Sequence, residues 1–278
     1  MPEDMATLTH HARIHATRVI ERREVAAGVV LLRLDAPELA NATRPGQYVM
    51  AIPPSGEAAA TALAVYEAEG KLASLLFFVM GRRTRELSAL DAGDCLGVLG
   101  PLGNGFDCSQ NARDVAIVAG GVGIASVLLC AQRLLAAGKR VRLFYGAKTR
   151  ELLVDAQRFA DAGCELILTT DDGTLGMHGR VTDALAISPP PEMIFSCGPT
   201  PMLRSVARYA DELGVPAQLA LEETFGCGVG ACWGCVVPLT AASSQAPGFP
   251  RADRRASDVV HARICREGPV FWAHELRW

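Results

Sequence analysis

The stretch Val115-Ala-Ile-Val-Ala-Gly-Gly-Val-Gly-Ile-Ala-Ser-Val-Leu-Leu-Cys-Ala-Gln132 decides the fold class. It carries no charge, and a hydropathy scan alone would take it for a near-complete membrane span. The glycines at 120, 121 and 123 break it in the middle. An apolar strand, a tight glycine turn and a helix from Ala125 to Ala137 account for it better, with Gly138 as the stop. Glycine turns in that setting place phosphate groups at a helix start.

The same rhythm continues downstream. Val141-Arg-Leu-Phe-Tyr, Glu165-Leu-Ile-Leu-Thr and Met193-Ile-Phe-Ser-Cys read as strands. Helical segments near Arg150 to Ala162 and from Met202 to Leu213 alternate with them, which predicts parallel βαβ units over 111–217. The strand ending at Cys197 runs into Gly198-Pro-Thr-Pro-Met202, and ligands of open α/β sheets bind beyond such strand ends. The pair of loops makes Gly120, Gly121, Gly123, Cys197 and Gly198 candidate nucleotide-binding residues.

Upstream, over 13–110, the pattern shortens. Arg18 to Arg23, Val29 to Leu34, Gln47 to Ile52 and Lys71 to Met80 are strand-like and are separated by Gly28, Pro45-Gly46 and Pro53-Pro54. Short strands at this spacing predict a small antiparallel barrel, with one helix starting near Thr84. Downstream, over 218–278, regularity fades, and Ala241 to Pro250 reads as a loop. The fold class expected is therefore a β-barrel, an α/β parallel-sheet domain and a small C-terminal cluster domain.

That last region holds Cys227-x4-Cys232-x2-Cys235, with Cys265 thirty residues further on. Thiolates are soft ligands for iron or zinc. Zinc sites usually take two CxxC knuckles, whereas here three cysteines fall in one loop among Gly226, Gly228, Gly230 and Gly234. This order is that of plant-type 2Fe–2S ferredoxins, whose loop must bring backbone amides close to the sulfides. A zinc site and a glycine turn with buried cysteines are the alternatives. The other five cysteines (95, 108, 130, 164 and 197) are scattered, and an odd total of nine argues against a disulfide framework.

Bulk composition narrows the function classes. The net charge of −3 gives no electrostatic footprint for nucleic acid, so Arg82-Arg83 and Arg254-Arg255 read as solvated faces or small anion contacts. Glu3, Asp4 and the histidines at 10, 11 and 15 stand where a secretory signal would need an apolar run, so a cytoplasmic location is expected.

With these three regions in this order, the chain resembles the electron-transfer subunits of class 1B dihydroorotate dehydrogenases, within the ferredoxin-NADP reductase superfamily. The matching runs are Pro45-Gly-Gln-Tyr, Gly100-Pro-Leu-Gly-Asn-Gly-Phe, Gly120-Gly-Val-Gly-Ile-Ala, Thr170-Asp-Asp-Gly-Thr, Gly179-Arg-Val-Thr-Asp, Cys197-Gly-Pro-Thr-Pro-Met, Leu221-Glu-Glu, the cysteine cluster and Arg263-Ile-Cys-Arg-Glu-Gly-Pro-Val-Phe. The resemblance implies an FAD barrel, an NAD(H) domain and a 2Fe–2S domain held by Cys227, Cys232, Cys235 and Cys265. It implies an NAD-linked oxidoreductase subunit of pyrimidine biosynthesis, working with an FMN-containing catalytic subunit in a heterotetramer, with no nucleic acid and no membrane insertion. It also places Cys197 near the nicotinamide.

The chain departs from that family where the flavin should be held. The signature Arg-Pro-x-Ser falls at Thr61-Ala62-Leu63-Ala64, so the arginine and the serine are both missing. The next element, Tyr-Arg, is Phe77-Phe78 followed by Val79, and the Gly-Thr pair becomes Arg83-Thr84. The flavin contacts expected by position are thus Thr61, Leu63, Ala64, Phe78, Val79, Arg83 and Thr84. A pyrophosphate is best held by arginine forks or amides, so Arg82 or Arg83 stands in for the lost charge, or FAD is weakly held or absent. The intact run from Gly100 to Phe106 favours FAD. The alternative is a flavin-free 2Fe–2S adaptor in another oxidoreductase complex. Two smaller departures are Ser126, where the family often has proline, and a longer segment before Cys265.

Overall fold

The computed structural model describes residues 12–56, 59–240 and 260–278. His10 and His11, the run Ala241 to Pro250 and Arg254-Arg255 lie outside them.

Six strands close a barrel: β1 (Arg13–Ala26), β2 (Val29–Asp35), β3 (Tyr48–Ile52), β4 (Thr61–Glu69), β5 (Leu72–Phe78) and β6 (Cys95–Leu102). Their order around the barrel is β1-β2-β5-β4-β3-β6, and every neighbouring pair is antiparallel. Closure leaves no free edge. The interior is filled by Leu32, Leu34, Val49, Leu75, Phe77 and Val98, all buried. Two short helices, α1 (Pro37–Ala42) and α2 (Arg82–Ser88), flank it. Strands β4 and β6 are not expected from residue pattern, because β4 is rich in alanine and glutamate and β6 is broken by two glycines and a proline.

The second sheet has seven strands. Four central ones are parallel: β7 (Asp114–Gly120), β8 (Arg140–Ala147), β9 (Glu165–Thr170) and β11 (Met193–Cys197). They are flanked by β10 (Met177–His178) and β12 (Ala217–Ala220), and the full order is β10-β9-β8-β7-β11-β12-β15. β15 (Val270–Trp272) is antiparallel to β12, so the chain returns to this sheet near its end. β7 is buried from Val115 to Gly120, which is why its sequence is continuously apolar rather than alternating. The helices are α3 (Leu128–Ala136), α4 (Ala156–Ala162), α5 (Val181–Ile187) and α6 (Thr200–Leu213).

Two expected helices are shorter than their patterns. The turn Gly121–Ser126 winds as a 3-10 segment, so α3 starts at Leu128 instead of Ala125. The stretch from Arg150 is split, because Asp155 takes a left-handed φ of 55° and α4 begins after it. The cysteine region is built on a two-stranded ribbon, β13 (Val236–Leu239) with β14 (Val260–Arg263). Among the described residues, no helix is long and apolar enough to cross a membrane.

Two apolar clusters cross the seams between these parts. One joins Val29, Leu31, Tyr66 and Leu76 of the barrel to the β7–α3 layer. The other joins Tyr48, Met50 and Leu102 to Phe225, Cys235, Ile264 and Cys265. Polar ties reinforce them. Tyr66 Oη donates to Asp155 Oδ2 at 2.5 Å, and Arg158 pairs with Glu67. Asn104, just past β6, donates to the carbonyls of Glu267 and Val270 and accepts the Val270 amide. Asn104→Ala is expected to cost about 1–3 kcal/mol in urea unfolding. It should also speed proteolysis within 260–278 ahead of the barrel, and unchanged cleavage order would reject this tie.

Candidate functional site: two cavities and a cysteine loop

The nucleotide loop and the strand end at Cys197 press against each other. A Cβ at Gly123 would collide with the carbonyl oxygen of Cys197, which is backbone and cannot swing away. Only glycine permits this approach. The contact sets the spacing between the ends of β7 and β11, the place where open α/β sheets bind ligands.

A cavity of about 530 Å³ opens at that edge, bounded by Gly120, Gly121, Phe78, Pro199 and Met202. Lys148, Arg180 and Asp171 also face it. The two cations beside a glycine turn suit an anionic, phosphate-bearing ligand. The expected Gly120, Gly121 and Phe78 are here, while Gly123 and Gly198 act from behind as close-packing positions. Lys148 and Arg180 were missed from the sequence, although Arg180 lies inside the matching run Gly179–Asp183.

A second, smaller cavity of about 180 Å³ lies between the barrel and the α/β sheet. Leu63 and Ala64 of β4 form one wall, and Val122, Ala125, Ser126 and Cys197 form the other. Gly46, Tyr48, Phe77, Phe225, Glu222 and Glu223 also line it. The walls are mainly apolar and aromatic, with two carboxylates at one side, and such a slot suits a flat aromatic ring. Cys197 Sγ donates to Glu222 Oε1 at 3.5 Å, and burial pushes the Cys197 thiol well above its ordinary range.

The remaining flavin candidates fall outside both cavity linings. Thr61 is half-buried at the start of β4. Arg83 Nη1 donates to Ala60 O at 3.2 Å, bringing a guanidinium to the backbone just before Thr61. Thr84 Oγ1 is engaged locally, accepting the amides of Met80 and Gly81. Val79 donates its amide to Gly28 O.

The four cysteines of the C-terminal motif form two pairs. The Cys232 amide donates to Cys227 Sγ at 3.4 Å, and the Cys265 amide donates to Cys235 Sγ at 3.4 Å. Cys232 is exposed and Cys227 half-exposed, whereas Cys235 and Cys265 are buried. Burial works to raise the Cys227 thiol, but donors from Val229, Cys232 and Ala231 outweigh it and bring it to about 6. Burial and the neighbouring Cys235 push Cys265 up to about 12. Among the described residues, no three His, Cys, Asp or Glu side chains converge to hold one metal ion. One pair lies within the glycine loop, and the other joins that loop to the turn after β14, so the four cysteines come together from two segments.

Tyr48 links slot and loop. Its ring borders the slot, and its hydroxyl donates between Gly228 O at 2.8 Å and Cys265 O at 2.7 Å. Gly228 has a φ of +70°, and a Cβ there would run into Met50 of the barrel. The loop therefore lies flat on β3.

No protein-family model matches the chain. Its sequence is 32% identical over 260 residues to a dihydroorotate dehydrogenase B (NAD(+)) electron transfer subunit of Caldanaerobacter subterraneus, covering 93% of this chain and 96% of that one. The chain belongs to that family. The corresponding subunit of Desulforamulus reducens is also 32% identical, with 96% and 99% coverage. The solved structure of the NADH-dependent reduced ferredoxin-NADP oxidoreductase is 29% identical, covers 95% of this chain and superposes with a TM-score of 0.78. A cytochrome P450 reductase of Amycolatopsis, 24% identical, shares the fold with a TM-score of 0.63 over 72% of this chain and 66% of that one.

Two substitutions test this geometry. Gly123→Ala should cost about 1–3 kcal/mol by overpacking and weaken NADH binding in calorimetry. Wild-type stability and affinity together would show that the close approach is not needed. Tyr48→Phe leaves two buried carbonyls without their donor and should lower unfolding free energy by about 1–3 kcal/mol. An unchanged denaturant midpoint would mean that water replaces the hydroxyl.

Proposed function

We propose that the chain is the electron-transfer subunit of a dihydroorotate dehydrogenase-type complex, relaying electrons between NAD(H), FAD and a 2Fe–2S cluster. The observation that carries this reading is continuity. The Gly120–Ser126 turn borders both cavities, and Tyr48 borders the slot while bonding the cysteine loop. Three sites built for a nucleotide, a flat ring and a cluster thus lie end to end.

The residues present fit these groups. Cys227, Cys232, Cys235 and Cys265 would hold the iron, with Gly226 and Gly234 leaving the backbone close to the Cys232 sulfur. Gly120 and Gly121 with Lys148 and Arg180 would hold the dinucleotide phosphates. Leu63, Ala64 and Cys197 would flank the flavin ring, and Arg83, tethered beside Thr61, would supply the cation that the barrel strand lacks. When bound, the flavin supplies conversion between a hydride and single electrons, and the cluster supplies one-electron carriage. The protein excludes water from the slot and fixes the distances between the sites. The exposed Cys227–Cys232 side of the loop is the face that a partner can approach. That partner is a catalytic subunit carrying FMN, in a cytoplasmic heterotetramer, with residues 218–278 serving as the 2Fe–2S unit.

Metal and cofactor analysis of the purified chain tests the reading. About two iron atoms and two labile sulfides per chain are expected, with one heat-released FAD. Iron without FAD would favour the flavin-free adaptor, and zinc alone would reject both. Cys232→Ser is expected to abolish the visible 2Fe–2S spectrum, and an unaltered spectrum would overturn the ligand set.

A further inference from the structure

Three cysteines outside the C-terminal motif gather where the barrel joins the parallel sheet. Cys108 lies on residues 103–113, the stretch that connects β6 to β7. Its Sγ stands 3.5 Å from Sγ of Cys130 on α3. Cys108 is half-exposed, and Cys130 is fully buried. Cys164, next to β9, is buried in the same apolar cluster as Cys130. The proposed relay uses none of these thiols.

We propose that Cys108 is a peroxide-reactive thiol and Cys130 its resolving partner, the two closing a disulfide between the connecting stretch and α3. The sulfur atoms already touch, and a bond of about 2.05 Å requires them to close by roughly 1.5 Å. Cys108 sits in a loop, not in a strand or helix, so that movement falls on the more adaptable partner.

The surroundings assign the two roles. The Cys130 thiol donating to Cys108 draws the Cys108 thiol below its ordinary range, against burial and Asp107, with Arg133 and Lys139 assisting. Burial, followed by Cys108 itself, holds Cys130 protonated. The reachable sulfur is thus the one its neighbours favour ionising, and the buried one is the one burial keeps protonated.

The step balances as follows. The Cys108 thiolate attacks one oxygen of hydrogen peroxide and the O–O bond breaks. Sulfur is oxidised to a sulfenic acid, and the other oxygen leaves as hydroxide, which takes the proton that Cys108 gave up on ionising. The Cys130 sulfur then attacks the Cys108 sulfur and the S–O bond breaks. The departing hydroxide takes the Cys130 proton and leaves as water. Two thiols and one peroxide become one disulfide and two waters.

The bond would fasten a stretch that already bonds the barrel side, the α/β sheet and the Glu267–Val270 turn. The Phe106 amide donates to Pro45 O in the barrel, and the Asp107 amide donates to Gln218 Oε1 on β12. Asn104 holds the Glu267–Val270 turn. Adding α3 to this set ties the helix behind the nucleotide loop to the connection.

The test treats the purified full-length holoprotein with hydrogen peroxide, alkylates the remaining thiols and maps the peptides by mass spectrometry. The expected product is a Cys108–Cys130 linked peptide that dithiothreitol reverses and that Cys108→Ser abolishes. In Cys130→Ser, a dimedone adduct should accumulate on Cys108. The proposal is overturned if Cys108 stays as alkylatable as the exposed Cys95 after peroxide. It is also overturned if the link forms to Cys164 instead. Wild-type mapping alone decides the matter should either variant fail to fold.

Discussion

The Tyr48 hydroxyl sits between two backbone carbonyls that come from opposite ends of the cysteine motif, Gly228 and Cys265. A tyrosine has one proton to give, so it is shared between the two acceptors. That sharing is sustainable because burial and the nearby cysteines raise the tyrosine far above its ordinary range, and it stays protonated throughout the physiological interval. The consequence is geometric. Cys227 and Cys265 are far apart in sequence, and their loops are brought together on one barrel side chain. Phe225 packs on the same ring at 5.0 Å between centroids, so the loop enters its turn already docked.

The rest of the architecture can be read as keeping that docking compatible with the slot beneath it. The barrel meets the α/β sheet through Tyr66–Asp155 and Glu67–Arg158 on β4, the strand that also supplies Leu63 and Ala64 to the slot. Asp155 adopts a left-handed backbone, a conformation costing on the order of 1 kcal/mol, and its carboxylate is the acceptor at this seam. β15 pairs with β12 and extends the parallel sheet, so the region that carries Cys265 is fixed to the nucleotide side as well. The cysteine loop is thus anchored to both neighbours, and the spacing between sites does not rest on a flexible tether.

How far the sequence revealed this depended on the kind of signal. The parallel strands were legible because both faces are covered, and such strands read as unbroken apolar runs, as Val115 to Ala119 do. β4 was opaque to pattern reading because Thr61-Ala-Leu-Ala-Val-Tyr-Glu-Ala-Glu is rich in helix-favouring residues, and only the barrel around it enforces the extended form. Site residues followed the same rule. Cysteines and glycines at fixed spacing announce themselves, whereas Lys148 and Arg180 become neighbours only when β8 and the loop before α5 are laid side by side. Tyr48 looked like an ordinary strand residue inside Gln47–Ile52. Its role depends on two carbonyls, 180 and 217 positions away, that no local pattern encodes.

The unequal burial of the cysteine pairs gives the loop a direction. Cys235 and Cys265 are buried close to Tyr48, while Cys232 is exposed. Around that outer pair the surface is unusually apolar for exposed positions: Val229, Trp233 and Val236 all show more than a third of their surface. Arg263 lies over the Trp233 ring at 4.7 Å and is itself held by Glu267, so the indole is fixed in place rather than free to turn inward. An indole held outward beside the exposed Cys232 and half-exposed Cys227 keeps apolar area in water at a cost, which a docking partner would recover. In the proposed relay, a buried pair beside Tyr48 and a more exposed pair bordered by apolar side chains suit passage through the loop to a docking partner.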